Sequence, residues 1–168
     1  MAERIEFKTE FNAKDIVAFL KKIAITLNND LSPLMKVARV FMKNTVDENF
    51  ETEGTHTGDK WKEWSSAYKI QRIKKGRMGG RILSLDGHLR KSIQAKSGKD
   101  FALVGTNKIY AAIHNFGGNS TLKHNQNMPQ REFMRINQTQ LEFLQADLYI
   151  ELKELIEQQD TNRKVFGG

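Results

Sequence analysis

The chain has 168 residues, of which 39% are apolar and 28% charged, and its 27 lysines and arginines outnumber 20 aspartates and glutamates, giving a net charge of +7. This length and composition suit one globular domain, and the lack of cysteine excludes disulfides, thiolate metal sites, cysteine nucleophiles and iron–sulfur clusters. Residues 1–9 are rich in charge, and no run approaches the roughly 18 apolar residues of a membrane span, so we expect neither an export signal nor membrane insertion.

The N-terminal part predicts a short strand followed by two helices. Apolar and charged residues alternate over residues 4–12, a pattern typical of a half-buried strand. An amphipathic helix should follow, starting at a partial capping box at Asn12 and ending at residues 28–29. A second helix should begin with Ser32 as its cap and Pro33 in its first position, and its apolar face continues to Phe50.

The next segment combines a glycine-containing loop with a basic helix. Residues 53–64 form the predicted loop, and two tryptophans at its end should pin it to the core. Ser65 or Ser66 can cap a short helix that runs to about Lys75. Residues 76–80 are too rich in glycine to hold regular structure, so they predict a mobile basic loop.

A turn, a short helix and a hairpin are expected next. Residues 82–93 predict the turn and the helix, whose apolar side chains should face inward. These inward-facing residues are predicted to be Leu83, Leu85, Leu89 and Ile93. Residues 94–97 and 101–105 flank Gly98-Lys99, which predicts two antiparallel strands joined by a tight turn.

The last part of the chain ends in a long helix. Residues 110–116 predict a short apolar helix closed by Gly117-Gly118, and residues 131–136 predict one more strand. A long helix should begin near Asn137 or Thr139, because leucines recur on one face. The leucines of this face are Leu141, Leu144, Leu148, Leu152 and Leu155.

These elements predict an α+β fold. A small antiparallel β-sheet should be packed by two N-terminal helices and a long C-terminal helix, with extended loops between them. Residues 1–160 should form one domain, and residues 161–168 a flexible C-terminal tail.

Charge is distributed unevenly along the chain. Residues 60–99 contain twelve basic and two acidic residues, a local charge of +10, whereas residues 137–160 contain six acidic residues and one lysine, a local charge of −5. One molecule therefore carries both partners of a head-to-tail contact.

No motif for catalysis or metal binding is present. The four histidines, at positions 56, 88, 114 and 124, have no metal-ligand spacing, and neither hydrolase nor phosphate-loop patterns occur. We therefore predict no catalytic residue, no cofactor and no metal.

The basic segment leaves two interpretations open. Lysines and arginines in residues 60–99 neutralise phosphates, and Trp61, Trp64 and Tyr68 could stack on bases, which favours a nonspecific nucleic-acid-binding protein. In the other interpretation the tryptophans belong to the core, and the lysines are solvated or face an acidic neighbouring subunit.

Five segments, taken in order, resemble the phage virion morphogenesis family, which includes tail completion proteins of tailed phages. Together they span about half of the chain. They are residues 50–64 with the loop GDKWKEWS at 58–65, ILSLDGHLRKSI at 82–93, VGT at 104–106, YAAIHNFGG at 110–118 and MPQREF at 128–133.

The resemblance implies a structural virion protein that acts by assembly. Such proteins are similar to tail terminator or neck subunits, which form rings, usually of six copies, at the head-proximal end of the tail and support head–tail joining. The partners implied are further copies of the chain, the tail tube, and neck or connector proteins, with nonspecific contact to passing DNA and none to a membrane. The implied location is the virion, with assembly in the host cytoplasm.

The family pattern matches fourteen residues, to which we assign structural roles. They are Trp61, Asp86, Gly87, Leu89, Ser92, Gly105, Tyr110, Ala111, His114, Phe116, Gly117, Pro129, Arg131 and Phe133. Asp86-Gly87 should form a tight turn or helix start, Arg131 a charge-assisted bond to an acid or carbonyl, and His114 a buried hydrogen bond. Gly117-Gly118 should adopt a backbone conformation that a side chain would strain.

Basic residues near the glycine-rich loop are expected to face either a ring lumen that carries DNA or a neighbouring subunit. These are Lys69, Arg72, Lys74, Lys75, Arg77 and Arg81. The polar residues 119–127 depart from the family pattern, and we expect them to become ordered on contact with a neighbour.

Overall fold

The computed structural model describes residues 30–77, 79–118 and 128–166, and side chains as far as residue 158. The strand predicted at residues 4–12, the first predicted helix and the polar segment 119–127 lie outside these ranges. Within them the elements are α1 (Ser32–Glu51), α2 (Ser66–Lys74), α3 (His88–Lys91), β1 (Gln94–Ser97), β2 (Ala102–Gly105), α4 (Ala111–Phe116) and α5 (Gln138–Phe166). The predicted α+β class is confirmed.

Helix α1 forms the centre of the described fold. Its apolar positions place Leu34, Val46 and Phe50 on one fully buried face, as the spacing predicts. The prediction that Ser32 caps the helix is wrong. Leu31 occupies the N-cap position, and its side chain makes no capping hydrogen bond. Instead the Asp30 carboxylate accepts a hydrogen bond from the Ser32 backbone N–H at 3.0 Å. Hydrogen bonding with the Ser32 side chain, and secondarily with its backbone N–H, lowers the pKa of Asp30.

The described β-structure is a single hairpin. Strands β1 and β2 are antiparallel, with Gln94 opposite Gly105 and Ser97 opposite Ala102. The turn spans residues 98–101 instead of two residues, and the Gly98 N–H donates to the Phe101 carbonyl at 2.8 Å. The hairpin is joined to the start of α1, because the Leu31 N–H donates to the Lys99 carbonyl at 3.1 Å.

The prediction of a strand at residues 131–136 is wrong. These residues form turns, with the Phe133 N–H donating to the Arg131 carbonyl at 2.8 Å. Their alternating pattern reflects burial of Arg131 and Phe133, but the carbonyls of Phe133 and Arg135 bond to a side chain of α1 and not to a neighbouring strand.

An aromatic cluster fills the core at the C-terminal end of α1. The Phe50 ring meets Trp61 edge-on at 5.7 Å between centroids and Phe133 in a tilted arrangement at 5.3 Å. Ile82, Leu89, Ile93 and Ala111 complete the cluster. Trp61 can take this position only beside a glycine, because a Cβ on Gly54 would lie 2.4 Å from the indole nitrogen, and Gly54 has a φ of +96°. The prediction that Trp61 pins its loop is confirmed.

Helix α5 packs antiparallel to α1. Near its start, the Gln140 side chain donates to the His56 carbonyl at 3.4 Å, beyond the end of α1. Farther along, Leu148, Leu152 and Leu155 pack against Leu31, Leu34 and Met35 at the beginning of α1. The predicted leucine face is confirmed, and the helix includes residues 161–166 of the predicted tail. The division into one domain and a flexible tail stays a prediction.

A buried amide links α1 to two distant segments. Asn49 is fully buried, and its Nδ2 donates to the carbonyls of Phe133 and Arg135 at 3.1 and 2.9 Å. Its Oδ1 accepts a hydrogen bond from the Thr57 hydroxyl at 2.7 Å. The Thr57 carbonyl in turn accepts from Asn137, which caps the first turn of α5. The Asn49 side chain therefore connects α1 to residues 133–135 and to the loop at Thr57, and Thr57 extends the network to the start of α5.

Replacing Asn49 by alanine should lower the free energy of unfolding by about 3 kcal/mol, because two carbonyls and a hydroxyl would lose their buried partner. Denaturant titration followed by circular dichroism measures the change. The matched control is Asn44→Ala on the exposed face of the same helix, which should change the value by no more than about 0.5 kcal/mol. Equal effects in both variants would contradict the role assigned to Asn49.

Candidate functional site

Four of the five family motifs meet in one cleft of about 850 Å³. Its walls come from residues 62–72, 81–89, 110–114 and 128–131, which are distant in sequence. The motif residues that line it are Asp86, Gly87, Leu89, Tyr110, His114, Pro129 and Arg131. The fold therefore brings motif residues that are distant in sequence together in this cleft.

Arg131 joins two walls of the cleft. Its side chain is buried, its Nε donates to the Lys62 carbonyl at 2.9 Å, and its Nη2 donates to the Glu63 carbonyl at 3.3 Å. Burial lowers the pKa of Arg131, but an arginine keeps its charge. The predicted charge-assisted bond is confirmed, and its acceptors are main-chain carbonyls.

Arg72 is a structural residue and not a surface contact. It is only 7% exposed, its guanidinium carbon lies 4.1 Å from the centroid of the Trp64 ring, and its Nη2 donates to the Gly79 carbonyl. Its inclusion among the lumen-facing or inter-subunit residues is therefore wrong, because the aromatic ring and the loop cover its charge.

His114 lies half-buried against the cleft, and the side-chain hydrogen bond predicted for it is not found among the described residues. Its Nδ1 is buried and has no hydrogen-bond partner among the described residues. The imidazole instead meets the Tyr110 ring edge-on, with centroids 6.0 Å apart. Burial, and secondarily the charge of Arg131, lowers the pKa of His114, so the neutral form is favoured in the folded protein.

The end of α4 is held against residues 128–131. Gly117 has a φ of +67°, and a Cβ there would lie 2.8 Å from the Gln130 nitrogen, which agrees with the predicted strain. Gly118 and Met128 exchange two backbone hydrogen bonds of 3.0 and 2.9 Å, and the Arg131 N–H donates to the His114 carbonyl at 2.8 Å. These bonds fix one side of the cleft.

The other motif residues are divided between the core and the surface. Trp61, Leu89, Ala111 and Phe133 are buried. Gly87 precedes α3 in the left-handed conformation, as predicted for a helix start. The Ser92 and Thr106 hydroxyls lie 2.6 Å apart, and Gly105 ends β2. Phe116, however, is 72% exposed. The prediction that Leu85 faces inward is wrong, because Leu85 is exposed and lines the cleft.

Ion pairs account for much of the basic segment. Lys69 pairs with Glu63, Arg77 lies 3.6 Å from Asp86, and Arg81 pairs with Glu51. Hydrogen bonds from Arg90 and Lys69 lower the pKa values of Glu51 and Glu63, respectively. Of the six basic residues predicted to contact DNA or a subunit, only Lys74 and Lys75 are exposed without an ion pair among the described residues.

The described part of the chain offers no group of three acidic or histidine side chains that could hold a metal ion. Nor does any helix in that part have the length and apolar character required to cross a membrane.

Two residues in this region have roles that the local sequence does not signal. Trp64 is predicted to be a core or base-stacking residue, whereas its ring carries the Arg72 guanidinium. Glu53 is predicted to lie in a loop, and its carboxylate accepts a hydrogen bond from the Ile82 N–H at 2.7 Å. The local sequence contains no signal for either contact, because the partners are eight or more residues away.

Comparisons with known proteins agree with the motifs. The model of the phage virion morphogenesis family matches residues 11–153. The chain is 34% identical to the putative capsid assembly protein G of Escherichia phage Mu over 106 residues, which are 62% of this chain and 68% of the relative. It is 30% identical to the Mu-like prophage FluMu G protein 1 of Haemophilus influenzae over 157 residues, which are 92% of this chain and 99% of the relative. No solved structure matches.

Replacing Arg131 by lysine should lower the free energy of unfolding by about 2 kcal/mol, because an ammonium group cannot reproduce both fork-like bonds to the Lys62 and Glu63 carbonyls. Denaturant titration tests this. The same substitution at the exposed Arg135 is the control and should change the value by no more than about 0.5 kcal/mol. An Arg131→Lys variant as stable as the control would contradict the joining role.

Stability should fall as the pH drops below about 6.5, because unfolded His114 then binds a proton that the folded protein resists. The contribution is fully present above pH 6.5 and is lost toward the lowered folded-state pKa. Unfolding free energies measured at pH 7.5 and 5.5 should therefore differ less in His114→Gln than in the wild type. An identical pH dependence in the two proteins would count against the burial effect.

Proposed function

Because the chain belongs to the phage virion morphogenesis family, we propose that it is a tail completion or terminator subunit, a structural virion protein of a tailed phage or prophage. In this proposal it forms a ring, of six copies as is usual for the neck subunits it resembles, at the head-proximal end of the tail. The ring supports head–tail joining. The match over residues 11–153 carries the proposal, and the relatives in phage Mu and in a Mu-like prophage support it.

The structural contacts of the motif residues support a role in assembly and not in catalysis. Trp61 and Phe133 build the core, Arg131 binds main-chain carbonyls, and Asp86 pairs with Arg77. Polar groups engaged in structural bonds of this kind are not arranged to exchange protons with a substrate. We therefore propose that the protein has no enzymatic activity and requires no cofactor.

Charge segregation supports a ring. A closed ring uses heterologous contacts, in which two different surfaces of each copy meet. A basic surface from residues 60–99 and an acidic surface on α5 are complementary surfaces of that kind. In the assembled virion the ring would contact the tail tube and the neck or connector proteins, and its exposed lysines would meet passing DNA without reading its sequence.

A role in the head is the competing function, because the phage Mu relative carries the name putative capsid assembly protein. The two functions differ in location. A tail completion subunit acts on the tail, whereas a capsid assembly protein acts on the head.

Electron microscopy of the purified protein, alone and mixed with tail tubes of the phage that encodes it, tests the proposal. We expect closed rings that cap one end of the tube. Particles lacking the protein should contain complete heads and complete tails that are not joined. Protein that remains monomeric both alone and with tubes would contradict the ring, and defective heads with normal tails would favour capsid assembly.

A further inference from the structure

We propose that helix α2 of one copy packs against the exposed face of helix α5 of the next copy, and that this contact builds the assembly. The inference rests on the proposed function and names the two surfaces that meet. The α2 face consists of Ile70 and Ile73 with Lys74 and Lys75. The α5 face consists of Phe143, Asp147, Ile150 and Glu154.

The α2 face is apolar and basic, and no partner covers it in the part of the chain that the structure describes. Every residue of α2 except Arg72 is exposed, so the helix is attached to the fold mainly through the Arg72 guanidinium on Trp64. Ile70 and Ile73 are 54% and 55% exposed. Because they are three residues apart, they lie on the same side of the helix. The lysines that follow have no ion pair among the described residues.

The α5 face has the same character with the opposite charge. Phe143 and Ile150 are 57% and 55% exposed, and Asp147 lies between them at a spacing of four and three residues. Glu154 continues this stripe by one turn. The stripe is distinct from the leucine face that packs on α1. It runs for about 17 Å, and α2 is about 14 Å long, so the two faces match in length.

The α2 and α5 faces belong to two different surfaces of the molecule. The middle and second half of α5 pack beside Leu31, Leu34 and Met35 at the start of α1. The segment that leads into α2 packs at the other end, because Trp64 joins the cluster of Phe50 and Trp61. Leu34 and Phe50 are about 24 Å apart along the helix axis. The α5 face begins beside the second half of α1, where Phe143 and Asp147 share a groove with Thr45 and Glu48, and it continues toward the start of α1. Each copy therefore presents two different complementary surfaces, as a head-to-tail contact requires.

Burial of the isoleucines and attraction between unlike charges act together in this contact. An exposed apolar side chain gains free energy when a partner covers it. Lysines opposite Asp147 and Glu154 select the orientation and speed the encounter. Copies that met through two α2 faces would bring lysines together, so like-charge repulsion disfavours that arrangement.

Two single variants and their mixture test the contact by analytical ultracentrifugation, under conditions in which the wild-type protein assembles alone or on tail tubes. Ile73→Glu places an acid opposite the acidic α5 face, and Ile150→Lys places a base opposite the basic α2 face. Each variant alone should associate about tenfold more weakly or worse. The equimolar mixture should recover dimers or larger species, because each mixed pair joins an intact α2 face to an intact α5 face.

The control is Ile109→Glu, at a position that is 97% exposed and outside both faces; it should assemble like the wild type. The proposal is wrong if either variant assembles normally, if the mixture stays monomeric, or if the control also fails to assemble. It is also wrong if Ile150→Lys lowers the melting temperature of the monomer, because the α5 face would then be covered within its own chain. Wild-type protein that never assembles would refute the proposed function, whereas normal assembly of both variants would refute only this contact.

Discussion

The position of the motif cleft depends on the buried amide of Asn49. This side chain bonds the carbonyls of Phe133 and Arg135 and the hydroxyl of Thr57, so it holds a segment without regular structure against a rigid helix. That segment places Arg131, whose guanidinium fixes the carbonyls of residues 62 and 63. Those residues precede Trp64, on which Arg72 and therefore α2 depend. One buried polar group thus determines where a surface helix lies.

This chain of contacts explains why a segment with a charge of +10 is not a uniformly basic surface. Within this segment Arg72 is used inside the fold, and Lys69, Arg77 and Arg81 pair with acids. Two adjacent lysines that stay exposed without an ion pair among the described residues, Lys74 and Lys75, lie at the end of α2. A protein that acts by assembly needs such defined contact surfaces, because diffuse charge would favour many alternative arrangements.

Local patterns predicted the helices and the hairpin well. Pro33 and the spacing of apolar residues located α1, Ser65 caps α2 as one of two predicted candidates, and the hairpin strands differ from the prediction by one residue. The errors share a cause. Residues 131–136 alternate like a strand, yet the Phe133 carbonyl bonds to the distant Asn49. His114 is predicted to make a buried hydrogen bond, yet its Nδ1 has no partner in the described structure. Both outcomes depend on residues that are distant in sequence.

The sequence by itself determined the family, the α+β class and the segregation of charge, because ordered motifs, periodicity and composition can be read from neighbouring residues. Only the tertiary structure decided which charges are free, that four of the five motifs line one cleft, and that the α2 and α5 faces belong to different surfaces of the molecule. The physical reason is that burial and ion pairing depend on residues such as Asn49 and Arg135, which are 86 positions apart, and no local pattern records such a contact.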